Sequence, residues 1–213
     1  GENVKIADSS IDITALKGKP TRIAITIPVS HRSLNVNGIQ LYDVIISQLG
    51  KAVAKVLNAW LATPTAHVAE TGTTVSGPFV KAAADVEFVG SVCTLAEAVQ
   101  LETAVIDSDV EVDETGLYIT SPQMQSLLKS TPIITGGDVM LMQDGKLNGY
   151  PVIATNAVPK EYIGFGFFSY SIICEFASML LLMDPYTGAS NNVVNFVLTG
   201  DFDIITISNN AFA

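Results

Sequence analysis

Residues 40–62, QLYDVIISQLGKAVAKVLNAWLA, decide the fold. Tyr42, Ile45, Ile46, Leu49, Val53, Val56, Leu57 and Trp60 return at steps of three and four, so a helix places them on one face. Gln48, Lys51, Lys55 and Asn58 fall mostly on the other. At 1.5 Å per residue such a helix is about 35 Å long, the width of a small domain, and it needs a large surface to lie across. Asn37-Gly38 before it and Pro64 after it are chain breakers, which predicts one unbroken helix over 40–62 with Trp60 buried.

The flanking sequence supplies that surface. Upstream, RIAITIPVS (22–30) alternates Ile23, Ile25 and Ile27 against Ala24, Thr26 and Pro28, the period of a half-buried strand. Pro28 removes a ladder donor and points to an edge strand or a strand end. Residues 4–16 alternate only loosely and join this strand through the turn Lys17-Gly18-Lys19-Pro20. Downstream, residues 63–92 are rich in Thr, Gly, Ala and Val and read as a crossover, with a domain boundary at 66–75. Thr94 and Glu97 are spaced as a capping box, so a helix follows, with Leu95, Ala98, Val99 and Val105 on its buried side. GLYITS (116–121) is a strand, Pro122 opens a short helix with Met124, Leu127 and Leu128 facing inward, and residues 139–143 and GYPVIAT (149–155) are strands around the turn Asp144-Gly145. The runs FGFFSYSII (165–173), SMLLLM (178–183), VVNFVL (193–198) and DFDIITIS (201–208) predict successive buried strands.

Composition narrows the function. Hydrophobic residues make up 48% of the 213 and charged residues 15%, a greasy balance that suits a large core or surfaces covered by other subunits. The net charge of -10, from 21 acidic and 11 basic residues, argues against gripping phosphates, since the densest basic group is only Lys17, Lys19 and Arg22. Residues 162–183 are apolar enough to suggest a membrane span, but Glu175 lies inside them and Asp184-Pro185 stops them. Cys93 and Cys174 have no metal or redox spacing and read as two buried thiols.

Catalytic candidates are few. His31 and His67 are the two histidines; Ser30 and Ser33 flank His31, but no nucleophile elbow or third member accompanies them. The acidic run DSDVEVDE (107–114) lacks the central glycine and terminal glutamate of a calcium loop and reads as a solvated edge. Gly164-Phe165-Gly166 lacks the third glycine and following helix of a dinucleotide fingerprint. The residues therefore predict no catalytic, cofactor-binding or metal site.

The order of elements carries a resemblance. An extended pair leading to RIAITIPVS, the long helix, GLYITSPQMQSLLKS (116–130), DGKLNGYPVIATNAVP (144–159), IGFGFFSYSI (163–172) and the terminal AFA together resemble the major capsid proteins of tailed bacteriophages with the HK97-like fold. LNGYPVIATNAVP (147–159), followed by a glycine-rich aromatic strand, is the most specific part. The resemblance implies an α+β shell subunit with a long spine helix, a peripheral-domain sheet and an axial α+β domain. In that scheme 1–30 hold the returning part of an extended loop, 31–69 the peripheral domain with spine helix 40–62, 70–185 the axial domain, and 186–213 the return to the peripheral sheet. It implies copies of itself in pentamers and hexamers as partners, with scaffolding and portal proteins beside them, in an icosahedral virion capsid enclosing double-stranded DNA and assembled in the host bacterial cytoplasm. It implies no cofactor, no sequence-specific nucleic-acid binding and no membrane. The family usually has sequence upstream of this start, so Gly1 suggests a processed or trimmed end. The first ten residues are then expected to be mobile or paired with another copy, and closed shells to need the upstream part. Some members join subunits by a lysine to asparagine bond; Lys17, Lys19, Asn191, Asn192 and Asn195 are available types without a motif. An encapsulin-like nanocompartment and a small-molecule enzyme on an α+β scaffold are the alternatives.

Overall fold

The computed structural model describes residues 15–68, 73–82, 85–86, 93–108, 110–134 and 137–213, and the backbone alone for 37–40. The expectations for the first ten residues, and most of the loosely alternating stretch 4–16, lie outside the described residues.

Strand β1 (Thr21–Ser30) runs straight into α1 (His31–Ala62). The helix is therefore nine residues longer at its start than the sequence reading placed it. Ser30 caps it by accepting a hydrogen bond from the Ser33 amide at 3.2 Å. Asn37-Gly38 lies inside the helix. A glycine in a helix costs about 1 kcal/mol against alanine, and the packing of Leu34 and Leu41 against the sheet core on either side of it offsets that cost. At 32 residues the helix is about 48 Å long. Its buried line is Ile45, Leu49, Val53 and Trp60, with Leu41, Val56 and Leu57 partly covered. Tyr42 and Ile46 were expected in that line and are instead exposed, because they sit one residue, or 100°, past partly covered Leu41 and buried Ile45.

The helix lies on a three-stranded antiparallel sheet of order β1-β10-β9, made with β9 (Ser171–Asp184) and β10 (Val193–Thr206). Among the described residues β1 is an edge strand, one of the two positions to which Pro28 pointed. VVNFVL and DFDIITIS are not separate strands: β10 runs through Gly200, where a register shift lies between Thr199 and Asp201. A Cβ at Gly200 would sit 2.7 Å from the Phe202 ring, so the close approach there requires glycine. SMLLLM is the second half of β9, which is largely exposed and not buried.

Between α1 and this hairpin the chain forms the short pair β2 (His67–Val68) and β3 (Thr74–Val75), a 3-10 turn at Pro78–Val80, α2 (Leu95–Ile106), β4 (Gly116–Thr120) and α3 (Pro122–Ser130). Then come β5 (Met142–Gln143), β6 (Lys146–Leu147), β7 (Tyr150–Ala154) and β8 (Ile163–Phe167). The second sheet has the order β5-β6-β7-β4-β8, with β4 parallel to β7 and antiparallel to β8. The strand expected at 139–143 shrinks to Met142–Gln143, and Val139 is exposed. On α2 the capping box is present, with Glu97 Oε2 accepting from the Thr94 amide at 2.7 Å. Its buried side includes Leu101, while Val99, expected there, is exposed.

Two hydrophobic cores result. One holds the helix against β1 and β10; the other holds α2 and α3 against the second sheet and takes in the C-terminal Ala211, Phe212 and Ala213. The tail joins β8 by paired main-chain bonds, Phe165 N–H to Ala213 O at 2.8 Å and Ala213 N–H to Phe165 O at 2.9 Å.

Inside the second core a carboxylate is buried without a cation. Glu102 on α2 accepts from the Tyr118 hydroxyl and, at 2.7 Å, from Asn148 Nδ2. Asn148 sits at φ 47°, in the turn between β6 and β7 that Asn148-Gly149 closes. Burial, and next the neighbouring Glu102, raise the Tyr118 pKa, so its proton stays on as a donor. Tyr118→Phe leaves one buried Glu102 oxygen without its partner and is expected to cost about 1–3 kcal/mol, read as a lower urea midpoint at unchanged slope.

Candidate functional site

The residues that most suggested catalysis serve the backbone instead. Ser30 and Ser33 hydrogen-bond to each other through their hydroxyls at 2.8 Å at the strand-to-helix junction, and the His31 amide donates to Asn192 O at 3.0 Å. His67 meets Ala59 O at 3.3 Å near the other end of α1, about 40 Å from His31 along the helix. Cys93 is buried, and desolvation first, with nearby Glu97 second, pushes its thiol up to about 12, which makes it an inert core thiol. Cys174 is half-buried rather than buried and also free. Gly164 and Gly166 let aromatic rings approach β8: a Cβ on them would lie 2.5 Å from Phe79 and 2.3 Å from Phe212. Among the described residues no three His, Cys, Asp or Glu side chains converge as metal ligands, and no helix is long and apolar enough to cross a membrane.

Lys17 and Lys19 precede β1 at the end where Thr21 pairs with Phe202, whereas Asn191, Asn192 and Asn195 lie at the end where Ser30 pairs with Val193. Roughly 30 Å of strand separates the two groups, so no bond within one chain can join them.

What the structure does present is an unfinished sheet. β9 is the outer strand of its sheet over fourteen residues, and its second edge has no strand partner among the described residues. Leu180 is 63% exposed, Leu182 55% and Met183 56%, with Phe176, Met179 and Ile173 similarly open. The reason is geometric. α1 covers β1 and β10, whose inward residues Ile23, Val194, Phe196 and Ile204 are buried, and of β9 only Leu181 packs onto that core. The segment 176–183, FASMLLLM, has no charge to keep it in water. A long apolar edge with free main-chain groups is a template for another chain, and exposed patches of this kind mark interaction sites. The sequence concealed this surface, because a run such as SMLLLM reads equally as a buried strand.

Charge is left over too. The one ion pair among the described residues is Arg22 with Asp201 at 3.1 Å. Asp113 is partly desolvated, but hydrogen bonds from Ser169 and Thr115 outweigh this and hold its carboxyl below the ordinary range.

A family model described as "Phage capsid family" matches residues 1–213. Among solved structures, the capsid of a native GTA particle superposes with a TM-score of 0.71 at 16% identity, over 100% of this chain and 78% of that one. The structure from Gordonia phage Cozz gives 0.71 at 16% identity, over 100% of this chain and 74% of the other. The SrpI encapsulin complex from Synechococcus elongatus PCC 7942 gives 0.62 at 12% identity, over 91% and 72%. No curated protein matches this chain. The α+β architecture is that of the HK97-like capsid fold.

Proposed function

The chain belongs to the phage capsid family, and from that premise we propose that it builds an icosahedral shell around double-stranded DNA, with copies of itself in pentamers and hexamers. It is a structural shell protein. The observation that carries the proposal is β9, a fourteen-residue, largely apolar strand with no strand on its outer edge among the described residues, which suits cover by another subunit. Residues 31–69 serve as the peripheral domain around the spine helix and the larger part of 70–185 as the axial domain; β9, paired with β10, belongs with it in the peripheral sheet, and Ala211, Phe212 and Ala213 pack back onto the axial core. Scaffolding and portal proteins are further partners, and assembly takes place in the host bacterial cytoplasm. The chain performs no catalysis and reads no DNA sequence; its excess of acidic residues keeps the shell from adhering to packed polyanion.

Electron micrographs and light scattering of the complete gene product carrying these residues test this reading. Closed shells are expected. A protein that stays monomeric at high concentration, or that turns over a small-molecule substrate, overturns it. Particles recovered from the source cell are expected to contain DNA; protein cargo in its place favours the encapsulin-like alternative.

A further inference from the structure

A cleft of about 370 Å³ opens where β10 outruns β1. The two strands pair as far as Thr21 with Phe202, and β10 continues to Thr206, so on the β1 side residues 203–206 have no strand beside them among the described residues. Lys17, Lys19 and Lys81 line it together with Thr74 and Ser76. Asp203 also lines it, and its two carboxylate oxygens accept from backbone amides, Lys19 N at 2.7 Å and Ile204 N at 2.9 Å. None of the three lysines forms an ion pair among the described residues. Three of the eleven basic residues of an acidic chain thus gather, without an ion-pair partner among the described residues, around this end of β10.

The complementary feature lies on the other flank of the same sheet end. Residues 110–114, VEVDE, follow α2 as non-helical backbone, with Glu111, Val112 and Glu114 exposed. They are anchored beside the start of β9: the Glu111 amide donates to the Tyr170 hydroxyl at 3.2 Å, and the Ser169 amide to Thr115 Oγ1 at 3.0 Å. Thr115 engages Asp113, while Glu111 and Glu114 have no cation partner among the described residues. The basic cleft is on the β1 side and the acidic segment on the β9 side, with β10 between them.

We infer that the Lys17, Lys19 and Lys81 cleft receives residues 110–114 of a second copy of this chain, laid along the edge of β10 at 203–206 that no described strand covers. The inference rests on the shell reading above. Opposite charges on two different patches of one subunit make a head-to-tail contact, which propagates around a ring. An extended acidic segment suits the slot, because a strand edge supplies main-chain bonds and the lysines supply selectivity. Copies set side by side bring the acidic flank of one to the basic flank of the next.

The test is charge reversal in the complete gene product. Lys17→Glu with Lys19→Glu and Lys81→Glu, and separately Glu111→Lys with Glu114→Lys, are each expected to raise the concentration needed for assembly by about tenfold or more. The combined variant is expected to recover assembly. Circular dichroism melts confirm that each variant folds, and a carbodiimide links the wild-type protein independently of any substitution. Mass spectrometry of mixed light and heavy-isotope copies is expected to find Lys81 or Lys19 joined to Glu111 or Glu114 across copies. Assembly unchanged by either reversal overturns the inference and leaves the shell reading standing. Loss in the lysine variant without recovery in the combined one also overturns it, since the occupant is then another anion, such as a phosphate. A wild-type protein that never assembles removes the shell reading itself.

Discussion

Phe212→Ala is expected to destabilise the chain by about 3–5 kcal/mol, the usual cost of emptying a phenylalanine site in a packed core. A side chain one residue from the end of this sequence would ordinarily be dispensable. Here Phe212 is fully buried, with ring centroids 5.5 Å from Phe79 and 5.4 Å from Phe168 in edge-to-face contacts. Gly166 beneath it leaves the space the ring fills, and Ala213 ties the main chain to Phe165 on β8. The substitution therefore removes an aromatic cluster member and loosens a strand-like pairing together. Urea unfolding is the measurement, and a loss below about 1 kcal/mol shows that the tail is not part of the core. Gly166→Ala probes the same contact from the other side, at about 1–3 kcal/mol from overpacking.

The second large effect falls on assembly and not on stability. Leu180→Lys with Leu182→Lys places two ammonium groups on the open face of β9, where both leucines are more than half exposed. The folded monomer is expected to shift by no more than roughly 0.5 kcal/mol per substitution, as exposed changes do. In a shell contact each leucine, already partly covered in the monomer, contributes about 1–2 kcal/mol by further burial. Losing both amounts to roughly 2–4 kcal/mol per contact, and at 1.4 kcal/mol per decade this raises the threshold for assembly at least about 20-fold. Light scattering against concentration reads that threshold. Lysine variants that assemble at the wild-type concentration show that β9 stays solvated in the particle.

These two predictions draw on different depths of information. Phe212 stood in the sequence as part of a terminal AFA, and nothing local distinguished it from a frayed tail. Its burial depends on Gly166 and Phe79, residues far away along the chain that only the folded sheet brings beneath it. β9 was apolar on sight, but apolarity in a strand does not say whether its faces meet a core or solvent. That depends on how far α1 extends across the sheet, and the helix stops short of the third strand.

By itself the sequence determined what local physics determines: the helical periodicity around Leu49 and Val53, the alternation of Ile23, Ile25 and Ile27, the Thr94 and Glu97 capping box, and the Asp144-Gly145 turn, whose φ values of 49° and 78° the left-handed region requires. The ordered phrases along the chain also sufficed to identify the family. Tertiary structure decided where the signals conflicted or ran out. It carried α1 through Asn37-Gly38 because packing outweighs one glycine, and it fused two runs into β10 because continuous pairing with β1, and pairing with β9 on both sides, outweighs two register shifts against β9. It also set which apolar and charged groups stay unpartnered in one copy, since partnership is a property of three-dimensional neighbours and sequence spacing records only neighbours along the chain.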